Sequence, residues 1–172
     1  SEMCIRDRDQ EINHATDGDS QESYLCLDSD VAKDLYGDEI DSDWRFNYQL
    51  EEKYYGYYYR TLKYYKQTEN KDEGKISNRT LPMIRMSEVY YIAAEAIFDT
   101  NPKEAQGYLE LVKKGRGISK KFDNVTNKSE FINLLVNDAR REFLGEGQIF
   151  YMYKRLNRLM PASSFYDSCL LY

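Results

Sequence analysis

LPMIRMSEVYYIAAEA (81–96) leads within a few residues into EAQGYLELVKKGRG (104–117), and ARREFLGEGQIFYMYKRLN (139–157) follows after a spacer. In the first block Met86, Val89, Ala93, Ala96 and Ile97 recur at helical steps, which predicts an amphipathic helix with those side chains as its buried stripe. Pro82 stands near the entry, where a missing N–H costs least. Asn101-Pro102-Lys103-Glu104 then has the grammar of a helix start: Asn101 as N-cap, Pro102 in the first turn, and Glu104 to complete a capping box. Ala105, Tyr108, Leu109 and Val112 form the predicted face of this second helix, and Gly115 and Gly117 end it. Asn127 and Glu130 repeat the capping logic for a third, with Phe131, Leu134, Leu135, Ala139 and Phe143 on its face. That helix is expected to run on, kinked, through Gly145 and Gly147 to Tyr153 or Leu156, with Pro161 as its latest end.

Small residues (Ala93, Ala94, Ala96, Gly107) let the first two helices approach closely. A short connection between such helices predicts a tetratricopeptide-like hairpin, although one hairpin does not establish a repeat. The fold class is therefore mainly α, with helical hairpins and irregular loops. Upstream, Ser29–Gly37 predicts a short helix with Ser29 or Asp30 as cap and Gly37 as stop, and 38–52 reads as loop or turn. The block KYYGYYYRTLKYY (53–65) holds seven of the chain's 17 tyrosines. Tyr and Thr favour extended chain and Gly56 a bend, so a strand or hairpin is expected there, with a polar loop after it.

The two ends read as something other than natural protein. Ser1–Arg8 (SEMCIRDR) back-translates to the end of a common transposon sequencing adapter, and the last four residues, CLLY, to its reverse complement. The expected organisation is thus adapter-derived sequence at 1–8 and 169–172, a loop-rich segment with a short strand region at 9–80, and a helical region at 81–168. On this reading Cys26 is the one natural cysteine of the three, and no disulfide framework can be drawn.

The formal net charge is −6, and Ser1–Arg8 contributes nothing to it, because Glu2 and Asp7 cancel Arg6 and Arg8. An acidic chain with no basic stripe argues against nucleic acid as a partner. No apolar run is long enough to span a bilayer.

Several charged groups invite chemical readings. Glu142 and Glu146 are four apart, so their carboxylates can approach, but glycosidase pairs face each other across a sugar and come from different elements. With Arg140 and Arg141 alongside, ion pairing is the stronger explanation. Arg85, Glu88 and Glu95 read likewise as a scaffold network, with Arg85 and Glu88 spaced to pair. His14, the lone histidine, lacks a ligand set, and DGDSQE (17–22) lacks the closing Glu of a calcium loop. There is no glycine-rich phosphate loop. No catalytic residue, cofactor or metal is expected.

Taken in order and spacing, the three opening blocks resemble the C-terminal half of the SusD/RagB family. The resemblance is firm over Leu81–Arg158 and looser from Asp43 to Tyr65. It implies a mostly helical fold with tetratricopeptide-like hairpins as scaffold, so that this chain corresponds to a portion of a larger domain whose helices pack on an N-terminal half. It implies a non-catalytic, glycan- or nutrient-binding surface lipoprotein of Bacteroidota. The implied partner is a TonB-dependent transporter of the SusC type in the outer membrane, with the membrane reached only through a lipid anchor outside this stretch. The alternative is a tetratricopeptide-like scaffold that binds a protein partner. Tyr91 and Lys114-Gly115 depart from the family pattern, without consequence for packing.

Aromatic side chains are the candidates for ligand contact, because flat rings stack on sugar faces while their polar rims take hydrogen bonds. Trp44, the only tryptophan, and Tyr54, Tyr57 and Tyr59 are the predicted contacts. Packing of the tyrosine block against the helices stands as the alternative. For Tyr90, Tyr91, Tyr108, Phe150, Tyr151 and Tyr153, interhelical packing is the expectation.

Overall fold

A computed structural model describes residues 26–53, 58–63, 84–120 and 124–159. The chain is mainly helical, as its periodicities require, with one small sheet. In chain order the elements are β1 (Cys26–Asp28), α1 (Ser29–Tyr36), a 3-10 turn (Gly37–Glu39), α2 (Trp44–Gln49), β2 (Leu50–Lys53), β3 (Tyr58–Thr61), α3 (Met86–Ile97), α4 (Pro102–Lys114), α5 (Lys128–Glu142) and α6 (Gln148–Arg155). The sheet runs β1-β3-β2, antiparallel throughout, and pairs Tyr59 with Leu27 on one side and Glu52 on the other. The hairpin expected at 53–65 is therefore present as β2 and β3, displaced a few residues toward the N-terminus. The segment 38–52 is more regular than its sequence suggests. Asp43 caps α2 by accepting the Arg45 N–H, and the chain passes directly from α2 into β2.

The helix caps follow the sequence closely. Asn101 accepts the Glu104 N–H at 3.2 Å, and Asn127 accepts the Glu130 N–H at 3.1 Å. Each satisfies a donor that the first turn of a helix leaves free. The cap of α1 lies one residue earlier than expected: Asp28 accepts from the Asp30 N–H at 2.9 Å. Gly37 stops α1 with φ +52°.

Two of the helical expectations need correction. The buried face of α3 is Ser87, Tyr91 and Ala94, continued by Phe98; of the expected stripe, Ile97 packs partly against the core and Ala93 is half-buried, while Met86, Val89 and Ala96 are exposed. Ile92 is exposed too. Both sets have helical spacing. The inner side carries Tyr91, whose hydroxyl has a buried partner in Asp138. The third helix does not run on through the glycines. It ends at Glu142, and Gly145 (φ +76°) and Gly147 (φ +73°) take the left-handed conformation that glycine adopts without strain. The chain turns there, and α6 starts afresh.

α3 and α4 form a close antiparallel hairpin, with Ala94 and Ala105 fully buried between them. α5 packs across it, and Phe98 stacks on Phe131 at 4.4 Å between centroids. Leu109, Leu135 and Ala139 complete this main core, and Tyr153 closes it from α6. Phe150 and Tyr151, expected to pack, instead lie exposed on the outer face of α6 with their rings edge to face. A second, smaller core of Leu27, Ala32, Leu35, Tyr36 and Leu50 lies beneath the sheet.

The corrected α3 face has a direct test. Phe98→Ala should cost about 3–5 kcal/mol in urea unfolding, as loss of a buried ring does. Ile92→Ala should stay within about 0.5 kcal/mol, as an exposed substitution does.

Candidate functional site

Trp44 begins α2, and two contacts fix its position. Its backbone N–H donates to the Arg116 carbonyl at 2.9 Å. Its indole edge lies against Gly117, where a Cβ would stand only 2.4 Å from Nε1 and 2.7 Å from the Ser42 carbonyl. Gly117 also has φ +86°, so both space and backbone demand glycine there. The ring itself is 52 % exposed. One turn along the same helix face stands Tyr48, 73 % exposed. The surface thus carries two aromatic side chains, the first anchored along one edge.

The other predicted contacts divide. Tyr59 lies on the inward face of the sheet with Leu27, and its ring meets Phe46 at 5.0 Å, so it is half-buried in the second core. Tyr54 and Tyr57 lie outside the described residues, as do His14 and the 17–22 segment. Tyr48 was not singled out by the sequence. Its position one turn beyond Trp44 becomes meaningful only once α2 is known to be a helix.

Beneath Trp44 lies a buried charge cluster. Arg45, only 1 % exposed, is held by Asp43 through Nη2 at 2.8 Å and Nε at 2.9 Å. Its far side reaches α5, where Nη2 donates to Asp138 at 2.8 Å and Nη1 to Glu142 at 3.4 Å. The Tyr91 hydroxyl donates to the remaining oxygen of Asp138 at 2.6 Å. Glu142 also accepts from Arg116 at 2.6 and 2.9 Å and from Arg85 at 2.6 Å. Arg85 continues to Glu146, which also accepts from Lys63 at 2.8 Å. Lys63 and Arg85 further cover the Glu142 carbonyl at the end of α5, where a helix has unpaired acceptors and favours cations. Arg45, Lys63, Arg85 and Arg116 therefore balance Asp43, Asp138, Glu142 and Glu146. To one side, Glu39 joins Lys113 and Arg141.

This cluster corrects the pairing read from sequence. Arg85 bonds Glu142 and Glu146 across the fold, not Glu88 along its own helix, and Glu95 pairs with Arg155 of α6. Ion pairing does account for Glu142 and Glu146. Burial alone would raise the Glu142 carboxyl, but the hydrogen bonds and charge of Arg116, with the charges of Arg85 and Arg45, outweigh it and hold the pKa at about 2. A carboxylate held so low carries no proton near neutrality and cannot act as a general acid there. Burial would likewise raise Glu39, and Lys113 and Arg141 pull it below its ordinary value. Burial, then the Asp138 charge, pushes the Tyr91 hydroxyl well up, so it remains a donor. Among the described residues, no group of three His, Cys, Asp or Glu side chains is arranged to hold a metal, and no helix is long and apolar enough to cross a membrane.

Against known protein families, residues 40–166 match the SusD family. The matched stretch takes in β2 and β3 of the sheet, the charge cluster around Arg45 and all the helices from α2 onward, and the chain belongs to that family. Its members are nutrient- and glycan-binding proteins rather than enzymes. No curated protein and no solved structure matches the chain.

Two outcomes follow from this geometry. Glu142→Gln should destabilise the fold by about 3 kcal/mol, because it removes the charge that faces the buried Arg45 guanidinium and the partly buried Arg85 and Arg116. Since the folded Glu142 carboxyl sits near 2, below its ordinary 4.5, its contribution is fully present above pH 4.5 and is lost as pH falls from there through 2. Urea midpoints should accordingly decline with acid across that window, and more steeply in the wild type than in Glu142→Gln. Separately, Gly117→Ala should displace the indole and shift Trp44 emission, with far-UV circular dichroism preserved.

Proposed function

We propose that this chain is part of a non-catalytic accessory protein that binds glycan or a related nutrient and works beside a SusC-like TonB-dependent transporter. It acts at the outer-membrane surface, where a lipid anchor elsewhere in the full-length protein attaches it. The family match over 40–166 is the observation that carries this reading. Two features of the chain support it. The carboxylates best placed for acid–base work, Glu142 and Glu146, are engaged by arginine and lysine. Trp44 offers an exposed ring whose edge is fixed against Gly117.

Within this reading Trp44 is the principal ligand contact of the described residues, with Tyr48 one turn away as a second ring. Tyr59 contributes whatever edge its packing leaves accessible, and Tyr54 and Tyr57, on the connection between β2 and β3, remain proposed contacts. A fixed aromatic ring loses little freedom on binding, so stacking against a pyranose face contributes more of its gross energy.

Affinity electrophoresis through gels containing a panel of neutral and acidic polysaccharides tests this. At least one polysaccharide should retard the chain, and Trp44→Ala should reduce that retardation by about tenfold in apparent affinity, the scale of one lost aromatic contact. Because the ring is half exposed, thermal stability should change little. Retardation undiminished in Trp44→Ala would remove Trp44 from the site. Turnover of any glycan in the panel would overturn the non-catalytic reading.

A further inference from the structure

The two cores of this chain are joined in an unusual way. The main core belongs to α3, α4, α5 and α6, and the second to β1, α1, α2 and the sheet. α1 lies against α5, yet among the described residues only Leu144 of the helical half packs as an apolar side chain on the second core. What crosses between the halves is otherwise mostly charged or hydrogen-bonded. Arg45 reaches Asp138 and Glu142, and Lys63 reaches Glu146 and the end of α5. From the helical side, Arg141 donates to the Leu35 carbonyl and to Glu39, with its guanidinium 5.5 Å from the Tyr36 ring centre, and Lys113 joins Glu39. The Arg116 carbonyl also holds the Trp44 N–H, and the Trp44 indole lies against Gly117.

Charge-assisted hydrogen bonds are lost once donor and acceptor part well beyond about 3 Å, and here they join halves that each hold an apolar core of their own. A joint made of such bonds opens as a step, and each half retains its own apolar core when it does. We infer that this ionic seam is a latch between two separately cored units, and that Trp44 is seated only while the latch is closed. Arg116 links the two events. Its guanidinium grips Glu142 inside the cluster, while its carbonyl, one residue before Gly117, holds the backbone of Trp44. Arg116 is thus a positioning residue for the exposed ring, acting through the latch and not by touching a ligand. The inference concerns the ring's seating and does not depend on what the ring binds.

Native-state hydrogen exchange in low urea, read by mass spectrometry on the 172-residue chain alongside Trp44 emission, tests it. Peptides from 26–53 should exchange through an opening that leaves 91–112 and 131–143 protected. Trp44 emission should shift to the red with the first group. Arg116→Lys keeps the charge but loses the two-pronged grip on Glu142. It should speed exchange in 26–53 roughly tenfold, the factor that one lost charge-assisted hydrogen bond corresponds to, and leave 91–112 unchanged. A single opening that exposes both groups together would overturn the inference, as would an equal response of both groups to Arg116→Lys. The wild-type exchange pattern decides between one unit and two even if the variant proves too unstable to purify.

Discussion

A guanidinium that is 1 % exposed has to be met by carboxylates from whatever surrounds it, and in this chain that requirement organises the fold. Arg45 sits at the start of a helix of 6 residues, too short to be stable alone. Its Asp43 partner is also the cap of that helix, so the carboxylate that begins α2 also prepares the side chain for burial. The opposite partners, Asp138 and Glu142, stand one turn apart on α5 and are brought into place by the packing of α3, α4 and α5. Burying such charges is costly unless each is paired and hydrogen-bonded. Here the oxygens of Glu142 are taken by Arg45, Arg85 and Arg116, and those of Asp138 by Arg45 and Tyr91. The site on the surface inherits its geometry from below, since the loop that seats Trp44 is the loop from which Arg116 enters the cluster.

Much of the scaffold was legible in the sequence because local chemistry decides it. Asn101, Asn127 and Gly37 mark helix limits through groups that act within one turn, and those limits hold. The same locality explains the failures. On α3 two sets of residues share helical spacing, and which is buried depends on partners elsewhere in the chain, such as Asp138 for Tyr91. Gly145 and Gly147 are compatible with a kinked helix or a break, and the positive φ at both settles on the break. α2 could not be seen because DWRFNYQ shows no clean period and has an arginine at its buried position. The burial of Arg45 was not legible, because apart from Asp43 its carboxylate partners lie 93 and 97 residues away along the chain.

The candidate site was half legible. Trp44 stood out as the lone tryptophan and is exposed, whereas Tyr48 depends on an unforeseen helix. Tyr59 is a candidate through its place in the tyrosine block, and the register with Leu27 turns it inward. Ion pairing of Glu142 and Glu146 was anticipated from neighbouring arginines, but the residues that supply it are Arg45, Arg85, Arg116 and Lys63, from four separate parts of the chain. The chain belongs to the SusD family, whose members bind nutrients and glycans, and its anchored, exposed Trp44 is the feature of the described residues that best suits such binding.

A double-mutant cycle between Arg45 and Asp138 measures the central interaction most directly. Arg45→Met, Asp138→Asn and the double variant would be compared with the wild type by urea unfolding at pH 7. If the buried pair is the constraint on which the two layers depend, the coupling energy should reach about 2–3 kcal/mol, at the upper end for contacting residues. Additive effects, within about 0.5 kcal/mol, would mean that the two side chains are buried near each other without holding the structure together.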